Sequence, residues 1–317
     1  MEGISVTEYQ RDALICAGDV SDDCAVLEAT LRLLLARFGG GVFFTPGNHD
    51  LWTLRRTSTP AADSLAKLRL VLSLCARLGV HTAPRLVGGG TGTAVWVVPL
   101  LSWHHAAFDS EEDLAAIDVP PVHRVMTDFA ACRWPAGVDD RGDGVARLLD
   151  AENGALPPEL LLPRAQRTHP VVSFSHFLPH LALCPEKRFL LYPNLPKAAG
   201  SAFLRARVQA LQPDVHTFGH LHFGWDTVID GTRFLQASLA YPKERETRMG
   251  TLRVGSAFEG STPLLVYDSA GAGSFAPKHR ARWSDYYESN ARQPASQELP
   301  EWVSRRYARR ARPAEAL

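Results

Sequence analysis

Through the first hundred residues, short apolar runs alternate with stretches of helical periodicity. The run at 13–17 predicts a strand, after which Leu27, Leu31, Leu34, Leu35 and Phe38 recur on one face of a helix. Asp22 or Asp23 is placed to cap that helix and Gly39-Gly40 to stop it. A second strand is predicted at 42–45. A second helix follows, capped by Asp63, lined by Leu68, Val71, Leu72, Cys75 and Leu78, and ended by Gly79. Residues 85–87 and 94–101 then read as two strands joined by a glycine-rich turn at 88–92. That turn is not a phosphate loop, because no helix start follows it.

Residues 136–168 carry Asp, Gly and Pro clusters and read as an insertion or long loop, the Arg-Gly-Asp triplet inside it being chance. Strands return at 170–174 and 214–218 around a helix near 201–211. Segments at 225–229, 232–239 and 262–267 suggest an antiparallel finish. The pattern is that of an α/β domain over residues 1–270, with a basic C-terminal tail at 271–317. The last forty residues hold nine Lys/Arg against five Asp/Glu and few aliphatic side chains. They read as a tail lying on the domain or partly disordered, with a partner-binding arm as the weaker alternative.

Composition narrows the class. The chain has 317 residues, with 34 Lys+Arg against 34 Asp+Glu. A formal charge of zero argues against charge-driven binding to nucleic acid or an anionic membrane. Five cysteines, odd in number and without a CxxC pair, fit neither a disulfide framework nor a zinc knuckle. The longest apolar stretch, 94–103, is broken by Pro99 and too short to span a bilayer. The opening residues have neither a basic n-region nor an apolar h-region. A cytoplasmic protein without a membrane partner is the expectation.

Four motifs carry the candidate chemistry: Gly18-Asp19-Val20-Ser21-Asp22, Gly47-Asn48-His49-Asp50, Ser175-His176-Phe177-Leu178-Pro179 and Gly219-His220-Leu221-His222. Each follows a predicted strand, where α/β sheets place their ligands. Together they supply carboxylate, amide oxygen and imidazole, a mixed set that suits Mn, Fe, Zn or Co rather than Ca or Cu(I). Any one motif alone is weak, but the ordered set is a strong signal. For each ligand the competing reading is a strand-end residue satisfied by hydrogen bonds. His216 reads as a core histidine, His104-His105 and Trp52 as loop packing, and Arg188 and Lys197 as solvated loop charges.

The set resembles the calcineurin-like metallophosphoesterases over most of the chain, roughly residues 13–267. The resemblance implies a four-layer αββα sandwich of two mixed β-sheets flanked by helices, with a two-metal site at one end of the sheets. Carried over by position, Asp19 bridges two divalent ions (Mn, Fe or Zn). Asn48, His176 and His220 complete one shell, and His222 binds the other ion. His49 faces the phosphate and serves the leaving oxygen, with Asp50 orienting its ring. The implied reaction is hydrolysis of a phosphomonoester or phosphodiester by in-line attack of a metal-bound hydroxide. Asp50 in place of Glu, with no Arg before Gly47, departs from the protein phosphatase branch. The alternative from another class is a non-catalytic protein-binding scaffold on the same fold.

The resemblance fails at one motif. The Asp-x-His of the opening strand is absent, since Asp12 has Leu14 two residues on. The sequence is read as truncated at its start, or else as a diverged member with one intact metal site. On the first reading the chain holds only one ion well and lacks a strand beside residues 13–17.

Overall fold

The computed structural model describes residues 3–53, 61–88, 93–255, 262–270 and 273–311. The turn expected at 88–92 lies, apart from Gly88, outside the described residues, as do residues 312–317 of the tail.

The two helices expected near the start form as their caps dictate. Strand β1 (Ala13–Cys16) leads into α1 (Cys24–Arg37), whose N-cap Asp23 accepts from the main-chain N–H groups of Ala25 and Val26. Strand β2 (Gly41–Phe44) precedes α2 (Ser64–Leu78), capped by Asp63 and closed by Gly79 at φ 78°, a left-handed turn that glycine adopts without steric cost. Leu27, Leu31 and Leu34 of α1 meet Val71, Leu74 and Cys75 of α2 over Val42 and Phe44 of β2.

β3 (Arg85–Val87) and β4 (Val95–Pro99) open the large sheet. Two short helices, α3 (Val122–Val125) and α4 (Asp128–Ala131), and the longer α5 (Gly144–Ala151) separate β4 from β5 (Val171–Phe174). Helix α6 (Ala202–Leu211) leads to β6 (Val215–Thr217), followed by the hairpin of β7 (Trp225–Ile229) and β8 (Thr232–Gln236). The sheet runs β3-β4-β5-β6-β8-β7, with its four inner strands mutually parallel and an antiparallel strand at each edge. Strands β1 and β2 form a separate parallel pair. Phe43 packs with Val97 and Phe174 of the large sheet, with Ile15 and Ala17 alongside. Sheet therefore faces sheet, with helices outside, and the expected α/β sandwich is present.

The rest of the chain closes one end. Helix α7 (Pro242–Leu252) follows β8, then come the two-residue strands β9 (Tyr267–Asp268) and β10 (Ser274–Phe275). They pair antiparallel with each other, while β8 lies parallel to β6, so the finish is mixed rather than wholly antiparallel. Helices α8 (Arg282–Ser289) and α9 (Glu301–Ala311) occupy the basic tail. Trp283, Tyr286 and Tyr287 pack against Trp225 and Phe234 of the sheet, and Val303 is fully buried. Aromatic side chains thus supply the apolar surface that a count of aliphatic residues misses.

The region 136–168 also differs from a plain loop. It contains α5, whose Val145, Ala146 and Leu149 are buried against Leu51, Leu68 and Trp103. Eight residues flanked by Asp-Gly clusters are too short a window for helical periodicity to stand out. All five cysteines are free. Among the described residues no helix is long and apolar enough to cross a membrane.

Candidate metal centre

Parallel strands deliver the four motifs to one place. Asp19 follows β1, Asn48 and His49 follow β2, His176 follows β5, and His220 and His222 follow β6. All these loops leave the C-terminal ends of their strands. The backbone there is strained. Asp19 (φ 58°), His220 (φ 73°), His222 (φ 52°) and Ala240 (φ 55°) all lie in the left-handed region that residues with a Cβ seldom occupy. Two glycines permit the close approach. A Cβ on Gly47 would overlap Asp19 Oδ1 and sit 2.7 Å from the His176 ring, and one on Gly18 would sit 2.9 Å from His176 Nδ1.

Asp19, His176 and His220 present ligand atoms within 4.8 Å of one another. Asn48 Oδ1 joins them, 2.9 Å from His176 Nε2 and 3.2 Å from His220 Nδ1. The other end of each group is held. His176 Nδ1 lies 2.7 Å from the Ala17 carbonyl oxygen and His220 Nε2 lies 2.8 Å from that of Ala198. A carbonyl only accepts, so each of these nitrogens carries a proton and donates it. The Asn48 amide nitrogen donates to Asp128 Oδ1 at 2.8 Å, which turns its oxygen inward. In the neutral tautomers, then, His176 Nε2, His220 Nδ1, Asn48 Oδ1 and the Asp19 carboxylate all aim lone pairs at one point. Such a set repels itself without a cation, and rings pinned by their far nitrogen are the usual setting of metal-bound histidine. The residues fit a divalent ion.

Electrostatics agrees. Burial alone would raise the Asp19 pKa, but the adjacent His176, with His49 and His220 beyond, holds the carboxyl well below its ordinary range. Burial and His176 push His220 down to about 3, so its ring is neutral near pH 7. Burial would likewise raise Asp128, but the His104 imidazole, 3.3 Å away, and the Asn48 amide bring it down to about 2.

His49 lies beside this cluster, its Nε2 3.8 Å from Asp19 Oδ2. The ring stacks on Trp52 with centroids 3.8 Å apart and meets the Tyr241 hydroxyl at 3.2 Å. Burial lowers its pKa against the pull of Asp19. Asp50 does not orient this ring. Its carboxylate accepts from four main-chain N–H groups, those of Asp19 and Gly47 at 2.8 Å and those of Val20 and Ser21 at 3.0 Å. It ties the first ligand loop to the second. Fully buried Lys67 adds a further tie, its ammonium donating at 2.5 Å to the carbonyls of both Asp22 and Trp52.

His222 stands outside the four-atom group. Its Nδ1 faces Glu244 Oε2 at 2.6 Å, and its ring meets Tyr241 edge-on. Sequence reasoning did not single out Asp128, Glu244, Tyr241 or Lys67. Trp52 is more than loop packing, since its Nε1 donates to Asp128 at 2.8 Å. His104 sits against Asp128, and His105 Nε2 accepts from the Ala202 N–H at the start of α6. His216 is a buried core histidine held between Ser173 and Ser175. Arg188 pairs with Glu186, and Lys197 sits with Lys187 between Asp109 and Asp113, so neither is a solvated loop charge.

This fold and these strand-end motifs define a class. The chain resembles the calcineurin-like phosphoesterases, and that likeness supports a hydrolase of phosphate esters. The family model described as calcineurin-like phosphoesterase matches residues 2–98, a span that includes Asp19, Asn48 and His49. One relative is the [acyl-carrier-protein] phosphodiesterase PptH of Mycobacterium tuberculosis (strain ATCC 25618 / H37Rv). It is 26% identical over 264 residues, covering 75% of this chain and 71% of PptH. The crystal structure of phosphopantetheinyl hydrolase (PptH) from Mycobacterium tuberculosis has the same fold. The TM-score is 0.60 at 24% identity, over 75% of this chain and 83% of that one.

Proposed function

We propose that this hydrolase acts on a phosphodiester, and that the phosphopantetheinyl ester of an acyl carrier protein is the diester to test first. The substrate class follows the relative at 26% identity, whose name states that activity. The observation that carries the metal dependence is the convergence of Asp19, Asn48, His176 and His220, with the amide and both rings turned inward by a bond on the far side. These four would hold one divalent ion, and His222, outside that group, would be the ligand left for a second. A divalent ion held there would supply charge neutralisation for the phosphate and activation of the attacking water.

The chain's own residues do the rest by positioning. Asp50 and Lys67 keep the Asp19 and Asn48 loops at a fixed separation. His49, braced by Trp52, offers an N–H to the oxygen of the departing alcohol, where negative charge grows as the P–O bond breaks.

The test is hydrolysis of a chromogenic aryl phosphodiester, and release of phosphopantetheine from an acyl carrier protein followed by mass spectrometry. Both use protein stripped of metal and then reloaded with Mn²⁺. Activity should need the metal, and His220→Ala should lose both metal and turnover. A parent chain that takes up no metal, or a His220→Ala variant that retains it in full, would remove the ligand assignment. Turnover of the aryl diester without release of phosphopantetheine would remove the substrate and leave the chemistry.

A further inference from the structure

We infer that Asp128, on α4, is a positioning residue that sets both the metal ligand Asn48 and the stacked ring of His49 through a single carboxylate oxygen. The inference rests on the proposed ligand role of Asn48 and leaving-group role of His49. No motif of the four includes Asp128, which lies 80 residues beyond Asn48 and 76 beyond Trp52.

An asparagine side chain has two ends of nearly one shape, an oxygen that can bind a cation and an NH₂ group that cannot. Asp128 decides between them. Its Oδ1 accepts from Asn48 Nδ2 at 2.8 Å, so Asn48 Oδ1 faces His176 and His220. The reversed amide would lose that bond and set oxygen against carboxylate oxygen. The same Oδ1 accepts from Trp52 Nε1 at 2.8 Å, and the Trp52 ring carries His49, with centroids 3.8 Å apart. One buried oxygen therefore fixes the amide that serves the ion and the indole that orients the ring serving the leaving group. Asp128 is itself held. His104, packed edge-on against Phe129 and Phe177, stands 3.3 Å from Oδ2, and both side chains are buried. The Ala131 carbonyl at the end of α4 accepts from the Thr53 N–H at 2.8 Å, which ties this helix to the residue after Trp52. A carboxylate behind a ligand also makes that ligand a stronger donor, here through the amide to Asn48 Oδ1. That suits a ligand group in which Asp19 is the one anionic side chain beside Asn48, His176 and His220.

The experiment uses ¹⁵N-labelled full-length chain. Its ¹H–¹⁵N spectrum reads the Asn48 side-chain amide and the Trp52 indole N–H, and calorimetric titration with Mn²⁺ reads the ion. In the parent the indole proton and one Asn48 amide proton should both lie downfield, as bonds to a carboxylate require, and Mn²⁺ should bind. Asp128→Ala should move both signals upfield and weaken Mn²⁺ about 10–100-fold, the usual cost of removing such a partner. Turnover should also come to depend more steeply on the leaving group. Asp128→Asn should recover part of the Mn²⁺ affinity, because its amide oxygen accepts the same two protons without the charge. Trp52→Phe keeps a ring for stacking but no N–H. It should leave Mn²⁺ affinity and the Asn48 signal at parent values and steepen only the leaving-group dependence. If Asp128→Ala does not fold, Asp128→Asn carries the test through a several-fold weakening of Mn²⁺ with a smaller upfield movement of both signals. Unmoved signals or unchanged Mn²⁺ affinity in the variant that carries the test would overturn the inference. So would a Trp52→Phe variant that weakens Mn²⁺ as much as the Asp128 variant does. A parent that takes up no Mn²⁺ would overturn the metal reading itself, and the inference with it.

Discussion

The Asp50→Asn substitution tests whether the two ligand loops are held together by one carboxylate. The Asp50 oxygens accept four main-chain N–H bonds at 2.8–3.0 Å. Hydrogen bonds to a charged acceptor contribute roughly 1.5–3 kcal/mol each. The amide keeps one oxygen for two of these donors, in weaker neutral bonds, and turns an NH₂ group towards the other two. Each orphaned donor costs about 1–3 kcal/mol. Against this, burial and the nearby charge of Asp19 push the Asp50 carboxyl up to about 6, so the ionised group already sits at a cost that the amide removes. The difference is a net loss of about 2–4 kcal/mol, a large share of the 5–15 kcal/mol typical of a domain.

Urea denaturation of metal-free protein at pH 7 measures it, and repeating the melt at pH 5 adds a sign. The folded pKa of Asp50 lies above its unfolded value, so between about 6 and 4 the folded state binds the extra proton. Acidification therefore adds stability to the parent at this group that the amide variant cannot gain, and the gap should widen. A variant within about 0.5 kcal/mol of the parent, the range of a neutral surface change, would refute the reasoning. So would a gap that closes at pH 5.

His49→Ala should keep its metal and fold but lose about 10²–10⁴-fold in turnover of an aryl diester, with a smaller loss for better leaving groups. Metal analysis beside the kinetics separates that from loss of a ligand. Gly47→Ala should lower metal content sharply in a folded protein, because the added Cβ collides with Asp19 Oδ1 and the His176 ring. Equal metal content in variant and parent would show that the loop yields. His216, pushed down to about 3 by burial, stays neutral in the folded chain. Its unfolded form takes a proton near pH 6.5, so stability should fall as pH drops from about 6.5, by up to about 1.4 kcal/mol per pH unit from this group. A His216→Leu variant should show a flatter acid limb in calorimetry, and an equally steep one would place the acid sensitivity elsewhere.

The proposed ligand atoms can be picked out in the sequence because each motif is local. A strand, a glycine or serine and a polar residue sit within a few positions, and parallel strands carry such ends to one edge. What orients those atoms was not readable. Asn48 is turned by Asp128 from 80 residues away and Lys67 reaches back 45 residues to Asp22, and neither partner stands in a pattern that separates it from an ordinary polar residue. Glu244 looks like a capping-box residue at a solvated helix start, and it makes that bond to the Tyr241 N–H while its carboxylate also reaches His222. Asp50 misled by adjacency. Next to His49 in sequence it reads as that ring's partner, but in the tight turn His49–Leu51 consecutive side chains point about 120° apart. The ring goes out to Trp52 and Tyr241, and the carboxylate goes in to the main chain. The strained backbone follows the same division. Of the six described residues other than glycine with positive φ, Asp19, His220, His222 and Ala240 border the site. No sequence pattern marks them, because the strain is held by bonds from distant segments: Asp50 to Asp19, Ala198 to His220, Glu244 to His222. Local motifs therefore name the candidate ligand atoms, and long-range ties decide which of their lone pairs converge.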